Sequence, residues 1–184
     1  MPVWTRFQGA EPWAFGPADA SKRPHTKDVF KNATITVEIP PNILNWIWIH
    51  MAINAGVIST CLKCGSAPAF MDSTRALREG ILTIRETLKV AVAKGADLDE
   101  CKSEIRNYYL PTFISSLAFK QVFRRNVPAR KIMELHNNLD DLYDLCTDVY
   151  RSAKELGVGA PLFERKAQYF LRADAKVEAG QNAR

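Results

Sequence analysis

Apolar and polar positions divide the chain near residue 41. Residues 1–40 contain five prolines and only short apolar segments. Trp13–Gly16 and Thr34–Ile39 have the aromatic and β-branched residues of short strands, and Thr26–Asn32 is predicted as one or two helical turns. Because this segment has too little apolar surface for a core of its own, we expect it to be an appendage of short strands and loops.

From Asn42 onward, apolar residues recur with the period of α-helices. This pattern predicts a mainly α, multi-helix domain over residues 41–175 and a frayed tail over 176–184. Capping residues, prolines and glycines predict the following helices: Asn42–Lys63, one from Asp72 or Ser73 to Lys94, Asp97–Asn107, one from Pro111, Pro128–Leu156 and Pro161–Ala173. In the second of them, the stripe expected to face the core is Leu77, Ile81, Ile84, Leu88 and Val92.

The first predicted helix is almost wholly apolar, yet it contains His50 and Asn54. Residues four apart share a helix face, so Trp46, His50, Asn54 and Ile58 form one stripe. A helix this hydrophobic buries much of its surface, and buried polar groups need hydrogen-bond partners. We therefore expect the stripe to face inward, with His50 and Asn54 bonded either within the core or to a ligand.

Two simpler interpretations of this helix compete with a ligand site. In one, His50 is a core histidine that neighbouring groups satisfy, and Asn54 is a packing residue. In the other, the apolar run spans a membrane. That run reaches the required length only if the histidine and the asparagines are ignored, and prolines and a Lys-Cys-Gly segment flank it. A core helix is the favoured interpretation.

Composition and charge add few constraints. The 184 residues carry a net charge of +5 from 25 basic and 20 acidic side chains, and no run of basic residues is longer than two. This mild excess does not indicate nucleic-acid binding, and it suits an anionic substrate equally well. The N-terminus lacks the features of a signal peptide, so we expect a cytoplasmic protein with neither nucleic acid nor membrane as a partner.

No residue pattern indicates a metal or phosphate site. Cys61 and Cys64 have the spacing of half a zinc site, but neither Cys101 nor Cys146 has a second ligand nearby. All four are therefore expected to be reduced thiols in the cytosol. Gly157-Val-Gly159 follows a helix instead of a strand, and it lacks the third glycine of a dinucleotide-binding loop.

Several segments together form a pattern known from one enzyme family. They are Asn42-Ile43, Ile47-Trp48-x-His50, Asn54-Ala55, Arg75-Ala-Leu with Glu86 and Ala93-x-Gly95, and Asp141–Gly157 with Val158-x-x-Pro161. These segments resemble the C-terminal domain of ketopantoate reductases (2-dehydropantoate 2-reductases). The first helix carries the most specific part of the resemblance, and the other segments extend it over nearly the whole chain. In addition, Phe15–Asp19 and Thr34–Ile39 look like the end of a preceding nucleotide-binding domain.

This resemblance implies a fold, a reaction and a site. The fold is the helical domain shared with 6-phosphogluconate dehydrogenase. In the family it closes over a small 2-keto acid, which is reduced to a 2-hydroxy acid in pantothenate biosynthesis. The family's catalytic lysine, a general acid, corresponds to His50. Its substrate-binding residues correspond to Asn54, Ser116 and, in place of a glutamate, Asp141, while Ile58 replaces a second asparagine.

The resemblance also implies NADP, which the family binds in a Rossmann domain that is largely missing here. We therefore expect a truncated or split enzyme, inactive alone, that binds no cofactor or metal by itself. Its partners would be the 2-keto acid and either a second copy in a homodimer or a separate nucleotide-binding chain. The alternative function is a non-catalytic helical interaction or dimerisation module derived from such an enzyme.

Overall fold

The computed structural model describes residues 42–135 and 139–171 in full, together with the backbone of two short strands. This part of the chain is mainly helical, as predicted. Its elements are β1 (Trp13–Ala14), β2 (Val37–Glu38), α1 (Ile43–Cys64), α2 (Ala67–Asp72), α3 (Thr74–Ala93), a 3-10 turn (Asp99–Cys101), α4 (Lys102–Tyr109), α5 (Thr112–Arg125), α6 (Val127–Leu135), α7 (Leu139–Glu155), α8 (Pro161–Glu164) and α9 (Ala167–Phe170).

The two strands pair in parallel, with Trp13 opposite Val37. Each lies inside a segment that was predicted to form a strand. The helical turn expected over Thr26–Asn32 and the tail over 176–184 lie outside the described residues. The assignment of residues 1–40 to a separate remnant therefore stays a prediction.

α1 begins and ends where the sequence predicted because capping residues stand at both ends. The Asn42 side chain accepts a hydrogen bond from the Asn45 backbone N–H at 3.2 Å. At the other end Gly65 has a left-handed φ of 80° and donates its N–H to the Leu62 carbonyl. The buried Asn45 side chain also exchanges hydrogen bonds of 2.8 and 2.9 Å with the Asp97 backbone, which ties the start of α1 to the segment after α3.

α1 and α3 form the central pair of the bundle, and small residues let the two helices approach closely. A Cβ atom at Gly56 would lie 2.8 Å from the Ile84 Cα, so a larger residue fits only if the backbone shifts. Across the same crossing, the Thr87 hydroxyl donates to the Ala52 carbonyl at 2.7 Å. This close approach positions the rest of α1, including His50 and Asn54.

The buried face of α3 departs from the predicted stripe at one position. Val92 is 46% exposed, and Ala91 is buried in its place. At 3.6 residues per turn, position 92 lies about 60° from position 77 around the helix axis, which takes it off the buried face. The other four residues of the stripe are buried as predicted: Leu77, Ile81, Ile84 and Leu88.

The prediction of one long helix over Pro128–Leu156 was wrong. The structure has α6 and α7 there, with residues 136–138 outside the described part. α6 packs on α2 and α5, whereas α7 packs on α1 and α9, so the two helices cover different sides of the bundle. The sequence between them, His-Asn-Asn, contains two residues that favour caps and turns over helix interiors.

Short helices account for the remaining differences. α2 was not predicted; the Ser66 side chain caps it by accepting from the Ala69 N–H at 3.2 Å. The predicted helix Pro161–Ala173 is divided into α8 and α9. Such one-turn and two-turn helices have too few residues for a periodic pattern, so the sequence does not reveal them.

Two apolar clusters fill the interior, and α1 contributes to both. One lies mainly between α1, α3, α4 and α5, and the other between α1, α7 and α9. Among the described helices, α1 alone is long and apolar enough to cross a membrane by length and composition, with a mean hydropathy of 1.3. A helix at the centre of a bundle has the same features, and both clusters are built on it.

Candidate functional site

The predicted stripe lies along the margin of the buried face of α1. Trp46, His50, Asn54 and Ile58 are all half-buried, and the fully buried positions of α1 face α3 and α7 instead. The expectation that this stripe faces inward is therefore met only in part. Position at the margin keeps His50 and Asn54 close to both the core and the surface.

His50 is held from two sides. Its ring stacks on Trp46 with 3.7 Å between the centroids, and its Nδ1 lies 2.8 Å from the Trp46 carbonyl oxygen. Its Nε2 lies 3.2 Å from Oε2 of Glu104 on α4, and the two side chains are 14% and 19% exposed. The paired Nε2 and Oε2 atoms are shielded from solvent, yet their alignment is not that of a hydrogen bond.

The neighbours of the His50 ring limit where its hydrogens can lie. The Trp46 carbonyl is only an acceptor, so Nδ1 must carry the hydrogen that faces it. Nε2 faces a carboxylate, which repels a bare lone pair. The contact is therefore attractive only with a second proton, either on Nε2 or on the Glu104 carboxyl.

Asn54 opens onto a groove between α1, α6, α7 and residues 65–68. The groove has a volume of about 920 Å³ and is lined mostly by apolar side chains, among them Ile58 and Leu62. Asn54 makes no side-chain hydrogen bond to any residue in the described part of the chain. Its amide, with two donors and an acceptor, is thus available to a ligand in the groove.

Two carboxylates share this groove with Asn54. Asp141 of α7 lines it, as the resemblance suggested, and also interacts with other groups. Glu134 of α6 was not predicted; its carboxylate accepts from Arg130 Nε at 3.0 Å and Lys131 Nζ at 3.3 Å. The signal that could have found Glu134 is its position as the first acidic residue after 105–133, which contain none.

Ser116 does not join Asn54 and Asp141. It is fully buried on α5, and its hydroxyl donates to the Phe113 carbonyl of the same helix at 3.0 Å. His50 does not line the groove either, because its ring turns toward α4. The structure thus brings together two of the four predicted residues, Asn54 and Asp141, with His50 one helical turn away.

The chemistry of the groove limits what it holds. None of its lining residues in the described part of the chain is basic, so nothing there fits the phosphates of NADP. Burial raises the pKa of Cys61 in the groove to about 12, and it raises the pKa of neighbouring Cys64 too, so both are protonated at neutral pH. In the described ranges, no three His, Cys, Asp or Glu residues form a metal-binding group.

A second polar cluster lies along the first half of α3, around Glu79 and Thr83. Lys166 is 1% exposed, and its Nζ donates to Thr83 Oγ1 at 2.7 Å and to the Leu162 carbonyl at 3.3 Å. It also lies 3.0 Å from Glu79, which Lys63 contacts at 2.7 Å. The three donors of Lys166 all have partners within the fold, so this ammonium holds residues 161–170 on α3.

The pKa shifts of this cluster follow from its geometry. Burial lowers the pKa of Lys166, although the carboxylate of Glu79 opposes the shift. Burial of Glu79 acts to raise its pKa, but hydrogen bonds from Lys63 and Lys166 outweigh it, so the pKa lies below the ordinary value. A perturbed buried lysine is often a sign of catalysis, but here all its hydrogen bonds are made within the fold.

Comparisons with known proteins add no relative. No protein-family model matches the chain, and neither the curated proteins nor the solved structures gave a match. The ketopantoate-reductase resemblance therefore rests on the residues of the sequence alone.

Proposed function

We propose that this chain is the substrate-binding helical domain of a ketopantoate-reductase-like, NADP-dependent oxidoreductase. In this proposal the 2-keto acid lies in the groove beside Asn54, and a separate nucleotide-binding chain supplies the cofactor. The observation that carries the proposal is the Asn54 side chain, which faces a groove of about 920 Å³ without a hydrogen-bond partner in the described part of the chain. An exposed amide at a mostly apolar concave surface is typical of sites that orient small ligands.

His50 and Glu104 supply the acid–base chemistry in this proposal. Asn54 donates a hydrogen bond to the carbonyl oxygen of the substrate, and His50, one turn earlier on α1, holds the proton that this oxygen needs. The 3.2 Å contact with Glu104 orients the ring away from the groove, so proton delivery requires Nε2 to turn from Glu104 toward Asn54. Glu104 is then the positioning residue that holds the imidazole ring between turnovers.

The charge of the groove explains why the domain would be inactive alone. A 2-keto acid carries a carboxylate, and the groove offers Asp141 and Glu134 but no basic lining residue in the described part of the chain. The cation that neutralises the substrate must then come from the nucleotide-binding partner. We therefore expect weak substrate binding by this chain and tight binding only in the assembled enzyme.

A titration followed by NMR tests the groove. The ¹⁵N-labelled chain is titrated with 2-dehydropantoate and, as a simpler 2-keto acid, with 2-oxoisovalerate. The side-chain amide of Asn54 and the backbone amides of α1 and α7 along the groove are expected to shift. Asn54→Ala should weaken binding about tenfold because it removes one hydrogen bond to the substrate.

Ser116→Ala is the matched control, since the resemblance names Ser116 as well but the structure buries it. Equal weakening by both substitutions, or shifts that cluster away from the groove, would overturn the proposed site. NADPH should produce no shifts with this chain alone. Micromolar NADPH binding would instead show that the described residues carry a cofactor site after all.

A second candidate function is the non-catalytic interaction module. It is favoured by exposed apolar side chains at the junction of α4 and α5, whose exposure reaches 59% at Phe113. The two functions are separable, because none of the residues at that junction lines the groove.

A further inference from the structure

The junction of α4 and α5 exposes five large apolar side chains that are consecutive on one surface. Their exposed fractions lie between 41% and 59%. Three belong to the exposed face of α5, which continues beyond them to Gln121, Arg124 and Arg125. We call this surface the α4–α5 face and define it by Tyr109, Leu110, Phe113, Ile114 and Leu117.

Hydrogen bonds hold the α4–α5 face open. Arg85 of α3 donates to the Tyr108 carbonyl at 2.6 Å and also to the Leu110 carbonyl. The buried Ser115 hydroxyl donates to the Asn107 carbonyl at 2.7 Å. These bonds fix the backbone between the two helices, so Tyr109 and Leu110 cannot fold back into the core. A rigid apolar surface loses little conformational entropy when a partner covers it.

The segment of the chain that forms this surface is basic after Glu104. Residues 105–133 contain no acidic residue, and their basic residues are Arg106, Lys120, Arg124, Arg125, Arg130 and Lys131. Arg106 stands one turn before Tyr109 and Leu110, while Arg124 and Arg125 end α5. Arg130 forms ion pairs with Asp72 and Glu134, and Asp72 also attracts Arg124. Among the described residues, Arg106 and Arg125 form no ion pair. The exposed surface is therefore apolar at its centre and basic at both ends.

We infer that the α4–α5 face binds an acidic, amphipathic helix of another protein. The partner helix lies along α5, with its apolar residues on Phe113 and Leu117 and its carboxylates on Arg124 and Arg125. Positions 113 and 124 are about 16 Å apart along the axis, a length that three turns of a partner helix cover. Charge complementarity selects the partner, and the apolar residues supply most of the affinity.

The order of residues along α5 favours a helix over a membrane surface. Lipid tails and phosphate groups lie at different depths, whereas Phe113 and Arg124 lie on the same exposed face of one helix. A bilayer that reached the apolar half would therefore bring Arg124 to the same depth. A partner helix that lies along α5 contacts the apolar half with its own apolar residues and the basic half with its carboxylates.

A binding assay with defined probes tests this inference. The probe is a fluorescent synthetic helix with leucines in one half and glutamates in the other, and the control peptide has the same composition with the two residue types interspersed. Saturable binding of the first peptide, and weaker binding of the second, is expected for the intact chain. Phe113→Ser with Leu117→Ser should weaken binding by at least about tenfold.

Charge reversal and a matched apolar control complete the test. Arg124→Glu with Arg125→Glu should weaken binding and remove most of its dependence on salt. Leu156→Ser removes an apolar side chain that is 45% exposed outside the α4–α5 face, so it should change nothing. Unchanged binding by the face variants, with circular dichroism confirming their fold, overturns the inference.

Two further measurements separate the other occupants of this surface. The first uses phosphatidylserine vesicles. If they bind the intact chain but not the Phe113 and Leu117 variant, and the peptide does not bind, the occupant is a membrane surface. The second is analytical ultracentrifugation. If the chain forms a concentration-dependent dimer and the same substitutions make it monomeric, the occupant is a second copy of the chain. Either result contradicts the helical partner.

Discussion

Two acid–base pairs in this molecule are built in opposite ways. Lys166 and Glu79 lie 3.0 Å apart, and Thr83, Leu162 and Lys63 satisfy the remaining donors and acceptors. His50 and Glu104 lie 3.2 Å apart with little solvent exposure, and their facing atoms have no aligned hydrogen bond. Both pairs connect separate segments of the core, yet the hydrogen bonds between charged groups are formed only in the Lys166–Glu79 pair.

The difference separates a structural pair from a candidate functional one. A buried charge that is fully hydrogen-bonded is expensive to disturb, because removing one partner leaves the other uncompensated. A pair with poor alignment contributes less to stability, and its polar atoms remain available to other groups. This contrast predicts large effects on folding at the first pair and small effects at the second.

Substitution of Glu79 should have the largest effect. Glu79→Gln removes the only carboxylate in direct contact with the buried Lys166 ammonium among the described residues, so we expect the free energy of unfolding to fall by about 3 kcal/mol. Urea unfolding followed by circular dichroism measures the change. Adding Lys166→Met to the variant should recover part of the loss, because it removes the uncompensated charge. A loss below about 1 kcal/mol would mean that the pair behaves like an exposed ion pair.

The acid dependence of stability should differ between the intact chain and the Glu79→Gln variant. The pKa of Glu79 is below its ordinary value of 4.5 in the folded chain, so Glu79 stabilises the fold above pH 4.5. This contribution is lost as the pH falls below 4.5 through the lower, folded-state pKa. Thermal unfolding across this range should show a smaller loss for Glu79→Gln than for the intact chain.

Asp72 and Glu164 also have lowered pKa values, from the hydrogen bonds of Arg130 and Lys154 respectively. They remain in the Glu79 variant, so part of the acid dependence must persist. Parallel curves for the intact chain and the variant would show that Glu79 adds nothing to it.

Substitutions at the second pair should have the smallest effect on folding. Glu104→Gln replaces the carboxylate by an amide that donates to the neutral imidazole, so stability should change by less than about 1 kcal/mol. The same urea titration measures it, with Glu79→Gln as the sensitive reference. A loss as large as that reference would make His50–Glu104 a structural pair and would weaken the proposed acid–base role.

Local chemistry explains which helices could be predicted. α1 and α3 have caps in the sequence, Asn42 and Ser73, and glycines after their ends, so their bounds were predicted to within a residue or two. α2, α8 and α9 are too short for a periodic signal. The separation of α6 from α7 depends on what each packs against, which no local pattern records.

The same distinction between local and distant contacts applies to the residues of the candidate site. Asn54 and Asp141 were predicted from the sequence and both line the groove, whereas Glu104 and Glu134 were not predicted. A partner more than fifty residues away, such as Glu104 for His50, leaves no trace in the spacing of residues. Ser116 shows the converse: it was named by resemblance, but its own helix satisfies its hydroxyl inside the core.

The sequence by itself determined the mainly helical class, the capped ends of α1 and the presence of two polar residues on an apolar helix. These follow from local rules, because periodicity, capping and side-chain polarity act within a few residues of the chain. Only the tertiary structure decided that His50 turns to Glu104 while Asn54 opens to the groove. The four residues from His50 to Asn54 carry the side-chain direction about 40° past one full turn, and the neighbours that each residue meets belong to distant segments.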